Sequence, residues 1–417
     1  MSTTLAPAQP HDHAAVSRLI SLAFGSPMDG VSTWLENAGL HNFRVMRANS
    51  EASGGAMPIA CALRVPMGHF FGGRSIRNMG VAGVAVAPEA RGGGLATTLM
   101  AEFLREARSE GYPLASLYPA TLPLYRRVGF EQAGYWCEYR INLKLLKLDP
   151  SLECGGDRDL KVRAFDRERD LDAVHVCYRA FAMQHEGMLD RGDYIWGRIF
   201  KPRQGEATGL VVEQQGGDGT KSVVGYIFFR QERTPALDHD VIVSDMAATT
   251  PAAARRLLDM LSDFRSVGAE LSFNGGPNHP FVSLLAEQKL TMKLREYWML
   301  RVLDVEAALT QRGYNPHVSC TFTLDVRDAT FPENAGPWRV EVHNGKAGVS
   351  RGAAAGGSRA SSDDTLTLDA RTLAAMYSGF HTPQQLRSVG KLRGGDRGVL
   401  AAAAAFAGAT PSLQDMF

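Results

Sequence analysis

Cysteine is scarce and scattered. Cys61, Cys137, Cys154, Cys177 and Cys320 form no C-x-x-C pair and no Cys/His cluster. Neither a disulfide framework nor a zinc site is expected, and a reducing compartment fits. His11 and His13 lie near each other without a third ligand at useful spacing and are expected to be solvated. An excess of one charge is missing as well. Lys and Arg total 45 against 44 Asp and Glu, a net +1, which offers no field for nucleic acid or an anionic membrane. No apolar run approaches the ~20 residues of a membrane span. The opening Met-Ser-Thr-Thr-Leu-Ala-Pro has no basic segment before an apolar one, so no signal peptide is expected. There is no Gly-Lys-Ser/Thr phosphate loop, and no Gly-x-Gly-x-x-Gly after a first strand. These absences leave an expectation of a cytoplasmic protein with no metal and no nucleic-acid or membrane partner.

What is present is material for several cores. A chain of 417 residues, 45% apolar, is too long for one ordinary domain, and two or three are expected. Val16, Leu19, Ile20 and Phe24 recur at helical spacing over 14–24, and 31–36 reads as a short second helix. Strand patterns follow at 43–47, 60–66 and 78–87. An amphipathic helix over 95–108 then puts Leu95, Leu99, Met100, Phe103, Leu104 and Ala107 largely on one side. Strands are expected at 113–117 and 134–143. The polar, Gly-rich stretch 149–158 reads as a boundary. Beyond it, a helix over 171–181, strands at 210–214, 222–229 and 241–246, a helix over 252–264 and a strand at 269–273 echo the order of the first part. After residue 305, strands at 318–326 and 338–343, a Gly/Ala/Ser-rich loop at 347–362 and helices near 370–377 and 398–406 follow.

The stretch that carries chemistry is Gly83-Val84-Ala85-Val86-Ala87-Pro88-Glu89-Ala90-Arg91-Gly92-Gly93-Gly94-Leu95-Ala96. A strand runs into glycines and then into a helix. The first N–H groups of a helix have no intrahelical partner, and the helix dipole adds positive potential there, which suits a diphosphate. Arg91 adds a permanent positive charge. The bland alternative is a tight corner.

Arg91-Gly92-Gly93-Gly94-Leu95-Ala96 resembles the Arg/Gln-x-x-Gly-x-Gly/Ala signature of the GNAT acetyltransferases. Tyr125-Arg126-Arg127-Val128-Gly129-Phe130 is similar to their Tyr-x-x-x-Gly-Phe segment. In length and order, the whole chain resembles the enhanced intracellular survival (Eis) type of that superfamily. The resemblance implies an α/β (α+β) fold: tandem GNAT-like domains with mixed central sheets, at 1–147 and 148–304, then a sterol-carrier-protein-2-like domain at 305–417. Residues 247–251, Ala-Ala-Thr-Thr-Pro, lack the glycines and arginine, as expected of a second domain that does not hold the cofactor.

The resemblance further implies acetyl-CoA as co-substrate and no metal. Arg91 to Ala96 would hold the diphosphate, Val84, Ala85 and Val86 the pantetheine arm, and Ala120 the same molecule. Tyr125 is a proton donor by resemblance; from the residues alone, a packed aromatic reads equally well. The base implied is the chain's own terminal carboxylate, on Phe417, against the alternative of a frayed tail. Glu89 and Glu131 are expected to face solvent. Asp415 is read either as an attractor of cationic substrate or as a solvated tail charge. Asp29, Trp34 and Trp196 are candidate substrate contacts, each with a core or surface alternative. A relative carries an aromatic residue at the position of Gly83, so a glycine predicts more room in the pocket. The family implies aminoglycoside or other amine acceptors and a homo-oligomer, often a hexamer. A protein lysine acetyltransferase and a non-catalytic acyl-CoA or lipid-binding module are the alternatives. The C-terminal domain is read as a presenter of the tail or a holder of an apolar ligand.

Overall fold

The computed structural model describes residues 3–48, 57–152, 160–202, 206–236, 238–352 and 362–417. Cys154, most of the expected boundary at 149–158 and part of the Gly/Ala/Ser-rich stretch 347–362 lie outside the described residues. The chain forms two units: one from 1–133, 298–408 and 417, the other from 134–297 and 409–416.

The first unit opens with β1 (Thr3–Pro7), α1 (His13–Phe24), α2 (Met28–Ala38), β2 (Phe43–Ala48), β3 (Pro58–Phe71) and β4 (Arg74–Val86). Then come α3 (Leu95–Ser109), β5 (Leu114–Leu117) and α4 (Leu122–Arg127). Strands β1 to β4 pair antiparallel in that order, and β5 runs parallel to β4. The apolar spacing of α3 does what it predicts. Leu99, Met100, Phe103, Leu104 and Ala107 are all buried, in one core with Met79, Val81, Leu117 and Phe130. Truncating Phe103 to Ala there would cost about 3–5 kcal/mol.

The second unit begins within β6 (Glu131–Asn142) and continues through β7 (Leu160–Ala164), α5 (Arg167–Ala182), β8 (Leu189–Asp190) and α6 (Asp193–Phe200). It goes on through β9 (Thr208–Gln215), β10 (Lys221–Arg233), β11 (His239–Ala248), α7 (Pro251–Ser262) and β12 (Gly268–Gly275). Strands β7, β9, β10 and β11 pair antiparallel in spatial order, and β12 runs parallel to β11. This repeats the first sheet strand for strand.

Beyond the parallel strand, each sheet gains one more antiparallel strand, and the two are exchanged. Glu270 of β12 faces Asn142 of β6. In the first unit, β5 is joined by the end of β13 (Thr291–Val302), with Met299 opposite Leu117. The sequence expectations contain no strand over 291–302. Its first half carries Lys293, Arg295 and Glu296, and the charges blur the alternation.

The rest of the first unit comprises α8 (Val305–Gln311), β14 (Cys320–Arg327), β15 (Gly336–His343), β16 (Lys346–Arg351) and β17 (Thr365–Asp369). It ends with α9 (Ala370–Tyr377), α10 (Pro383–Ser388), β18 (Arg393–Gly394) and α11 (Asp396–Ala405). The five strands form a separate sheet in the order β16-β15-β14-β17-β18. The sequence predicts two helices here. The two it does not predict, α8 and α10, are too short to show a period, and α10 is fixed by a reciprocal cap between Thr382 and Gln385. No helix among the described residues is long and apolar enough to cross a membrane.

Candidate active site

The site starts from a fault in a strand. Cys61 stands opposite Ala85 and Leu63 opposite Ala82, so Ala62 alone faces Gly83 and Val84. This is a β-bulge, and Gly83 takes a φ of 56° that a side chain would resist. Pairing of β4 with β5 ends at Val81 and Leu117, while β4 runs on to Val86. The edge carrying Val84, Ala85 and Val86 therefore has no β5 beside it, and backbone donors and acceptors there seek a partner.

The room predicted from a glycine at 83 is not present. A Cβ at that position would lie 2.7 Å from Trp34 Cη2 and 3.3 Å from Ile20 Cδ1. The indole, packed edge-on against Phe43 at 5.5 Å, occupies the space. Trp34 is thus brought to the strand that carries Val84. Asp29 is not: it sits on the exposed first turn of the same helix.

Past Val86 the chain makes a short turn, and Arg91 folds back so that its Nε donates to the Val86 carbonyl at 3.2 Å. Among the described residues no carboxylate pairs with Arg91. Gly94 is the N-cap of α3 with φ 79° and supplies no side-chain cap. Among the described residues the first acceptor of the helix is the Gly94 carbonyl, bonded by Thr97 N and Thr98 N at 2.9 and 3.1 Å. Among the described residues the N–H groups of Gly92 to Ala96 bond to no protein acceptor. A Cβ on Gly92, Gly93 or Gly94 would meet nothing within 4 Å. An open, uncapped, positively polarised helix start fits a diphosphate. The matching helix of the second unit is closed. Thr250 caps α7 by accepting from Ala253 N at 3.1 Å, and Pro251 at the first turn has no N–H to offer.

Tyr125 lies in α4, and the residues after it explain its setting. Its carbonyl accepts from the N–H groups of Val128 and Phe130, both at 3.1 Å. Gly129 makes that reversal at φ 90°, and a Cβ there would sit 2.7 Å from Arg301 Nε. The spacing Tyr-x-x-x-Gly-Phe is therefore a helix C-cap that fixes the tyrosine. The Phe130 ring packs against Tyr125 at 6.1 Å. Burial pushes the phenol up to about 12. Its hydroxyl has no hydrogen-bond partner among the described residues. Ala120, just before this helix, is exposed.

The tail is ordered by burial. Pro411, Leu413, Gln414, Asp415 and Phe417 are all buried. In the first unit the Phe417 ring lies against Tyr118, with centroids 5.4 Å apart. No ion pair to the Phe417 carboxylate is made among the described residues.

Residues 4–133 and 187–302 each match a family model described as acetyltransferase (GNAT) domain, and residues 305–414 match one described as sterol carrier protein domain. An uncharacterized N-acetyltransferase of Streptomyces coelicolor is 30% identical over 345 residues, covering 80% of this chain and 78% of the relative. The N-acetyltransferase Eis of Mycobacterium tuberculosis is 26% identical over 385 residues, covering 90% of this chain and 85% of that one. A GCN5-related N-acetyltransferase from Anabaena variabilis, solved by crystallography, superposes with a TM-score of 0.87 at 27% identity, covering 100% of each chain. The chain belongs to the Eis-type GNAT N-acetyltransferases.

Two expectations about acidic residues need correction in this Eis-type enzyme. Glu131 is buried rather than solvent-facing, with Arg126 donating to it at 2.6 Å and Arg371 and Lys391 within 3.9 Å. Those cations compensate the carboxylate, which lets it leave water. Asp415 is neither a substrate attractor nor a solvated charge: it is buried and bound by Arg191 at 2.9 Å. Trp196 is 7% exposed in the second unit, enclosed by His175, Tyr178 and Phe200 and by the Arg191 guanidinium at 4.8 Å. The sequence reading missed Tyr118, Arg191 and Asp245. Tyr118 has a faint signal, an aromatic between a strand and Pro119. The other two have none, because their partners lie far along the chain.

Proposed function

We propose that this acetyltransferase transfers acetyl from acetyl-CoA directly to the amine of a small molecule such as an aminoglycoside or polyamine. The observation that carries the reading is the uncapped start of α3 beside the parted edge of β4, in the same unit as Tyr125 and Phe417. Arg91 and the N–H groups of Gly92 to Ala96 hold the diphosphate, Val84 to Val86 hold the pantetheine arm, and Ala120 borders it. Bound acetyl-CoA supplies an acetyl group activated as a thioester. The α-carboxylate of Phe417, ionised at neutral pH, takes the proton that the amine nitrogen sheds as its bond to the acetyl carbon forms. The Tyr125 hydroxyl gives its proton to sulfur as the carbon–sulfur bond breaks. Trp34 borders the acceptor.

The same proposal divides the sequence at 1–147, 148–304 and 305–417, and takes the assembly as a homo-oligomer, hexameric as in the family. Sedimentation of the full chain reads the assembly.

The test is a thiol-release screen with aminoglycosides, polyamines and lysine peptides, using the natural protein, Tyr125→Phe and a form extended beyond Phe417. Release with polyamines or aminoglycosides, lost on extension while acetyl-CoA still binds, is the expected result. Release with peptides alone would move the acceptor to protein lysine. Tight binding with no release on any amine would reduce the protein to an acyl-CoA-binding module.

A further inference from the structure

The second unit repeats the split sheet of the first, bulge included, but not its open helix start. Pairing of β11 with β12 ends at Ile242 and Ser272, although β11 runs to Ala248 and β12 to Gly275. Phe228 stands opposite Asp245 and Phe229 opposite Val243, so Ser244 is the extra residue of a β-bulge. It lies two residues past the end of pairing, as Gly83 lies two past Val81. Asp245 therefore takes the place in its strand that Val84 takes in β4.

A peptide lies at this split. Residues 409–416 belong to the second unit. Gln414 lines a recess with Val243, Asp245 and Met246 of β11 and Phe273 and Asn274 of β12. The backbone of the segment is bonded to its surroundings: Tyr135 N donates to Pro411 O, Leu413 N to Tyr135 O and Ser412 N to Glu186 O, each at 3.0 Å. The side chains have fitted places. Leu413 is fully buried. A Cβ on Gly276 would stand 2.3 Å from Ser412 Oγ, so the hydroxyl comes this close only to a glycine.

Asp415 meets a prepared cation. Arg191 donates to both oxygens of Asp245 at 2.7 Å, which turns its Nε edge to Asp415 at 3.0 Å. Arg191 and Asp245 have 0% side-chain exposure, and Asp415 has 5%. The guanidinium lies 3.6 Å from the centre of the Tyr178 ring, and the Tyr226 hydroxyl donates to Asp245 at 2.6 Å. A planar guanidinium fixed along one edge and one face has its other edge ready for a carboxylate.

Bonded backbone, places for successive side chains and one fixed charge are the parts of a peptide site at a sheet. A diphosphate has no such grip here, since Thr250 and Pro251 close the start of α7. A pantetheine arm is itself a chain of amides, so a split that suits the arm can suit a peptide backbone. The fit is that of a ligand rather than of a core strand: Gln414 Oε1 is buried with no hydrogen-bond partner among the described residues.

We propose that the split of the second repeat is a peptide-binding site, whose resident ligand is the chain's own segment 411–415 and in which Arg191, set by Asp245, selects the aspartate. The parallel with an arm slot rests on the reading of residues 84–86 in the first unit.

The experiment uses the full-length natural chain and full-length Asp415→Lys, in which an ammonium faces the guanidinium and frees the tail. The probe is a fluorescent synthetic peptide of residues 409–417, beside a second peptide with asparagine in place of the aspartate. Anisotropy should show the first peptide binding Asp415→Lys about 10-fold more tightly than the second does, the worth of one charge-assisted bond. The natural chain should bind the first peptide at least about 10-fold less tightly than Asp415→Lys does, because its own tail competes at high effective concentration. In the natural chain the Leu413 amide should exchange with deuterium about 10-fold faster than the amides of β10, since a bound segment leaves without unfolding the sheet. That last measurement needs no variant, and so holds even where Asp415→Lys does not fold. Exchange of Leu413 at the rate of β10 makes the tail part of the core and overturns the inference. So does failure of the peptide to bind folded Asp415→Lys, or equal binding of the two peptides or by the two chains. The assays contain no acetyl-CoA, so these outcomes leave the reading of the first unit untouched.

Discussion

Trp34 covers Gly83 so closely that a methyl group at residue 83 would stand 2.7 Å from the indole edge. The glycine is held by two separate constraints, this contact and its φ of 56°. Replacing it with alanine should therefore destabilise the first unit by about 1–3 kcal/mol, read by chemical denaturation. In a Trp34→Ala background the contact is gone and only the φ strain remains, so the same change should cost less. An equal cost in both backgrounds would mean that the indole does not press on the bulge.

The open and closed helix starts make a matched pair. Gly93 has no positive φ, and a Cβ there meets nothing within 4 Å. Gly93→Ala should leave stability within about 0.5 kcal/mol but raise the KM for acetyl-CoA about 10-fold, roughly 1.4 kcal/mol of lost binding. Thr250→Ala should do the reverse, costing about 1 kcal/mol of stability with KM unchanged. Steady-state kinetics and denaturation on the two variants check this.

Tyr125→Phe removes a hydroxyl that bonds to nothing among the described residues, so the fold should tolerate it. Turnover should fall by about 100-fold or more, the usual worth of a positioned proton donor. The phenol is raised to about 12, so it keeps its proton throughout the neutral and mildly alkaline range. The kcat profile of the natural enzyme should show no falling limb from this group below pH 10. A limb near pH 9 that disappears in Tyr125→Phe would contradict the burial seen here.

Acid should weaken the second unit through His279. Burial, with His185 nearby, depresses this imidazole to about 3. Its Nδ1 accepts from Phe281 N at 3.3 Å, and Gln414 is its neighbour at 3.5 Å. In the unfolded chain a histidine binds its proton near pH 6.5. Between about pH 6.5 and 3 the unfolded state thus holds more protons than the folded one, and stability rises with pH. The stabilisation is complete above pH 6.5 and is lost as pH falls toward 3, with a slope approaching about 1.4 kcal/mol per pH unit. Urea denaturation between pH 7 and 4 should show this slope, and His279→Gln should flatten it.

Much of the site was legible before any coordinates. The α3 stripe was readable because a helix buries one face at a fixed period, and Leu99, Met100, Phe103, Leu104 and Ala107 obey it. Tyr125 was reached only through the resemblance of its segment to Tyr-x-x-x-Gly-Phe, since the residues alone read equally well as a packed aromatic. Glu131 was misread because a carboxylate's burial depends on Arg126 and on Arg371 and Lys391, distant in sequence. Gly83 was misread for the same reason: whether a missing side chain leaves a space depends on what else can reach it.

The sequence by itself determined most of the longer helices and strands, the repeated order of elements and, through the blocks from Arg91 to Ala96 and from Tyr125 to Phe130, the family, because each of these is carried by local spacing or a local motif. Only the tertiary structure decided that β6 closes the second sheet and β13 the first, that Trp34 fills the place beside Gly83, and that Arg191 grips Asp415. These depend on which distant segments lower the free energy of burial together, and no local period carries that information.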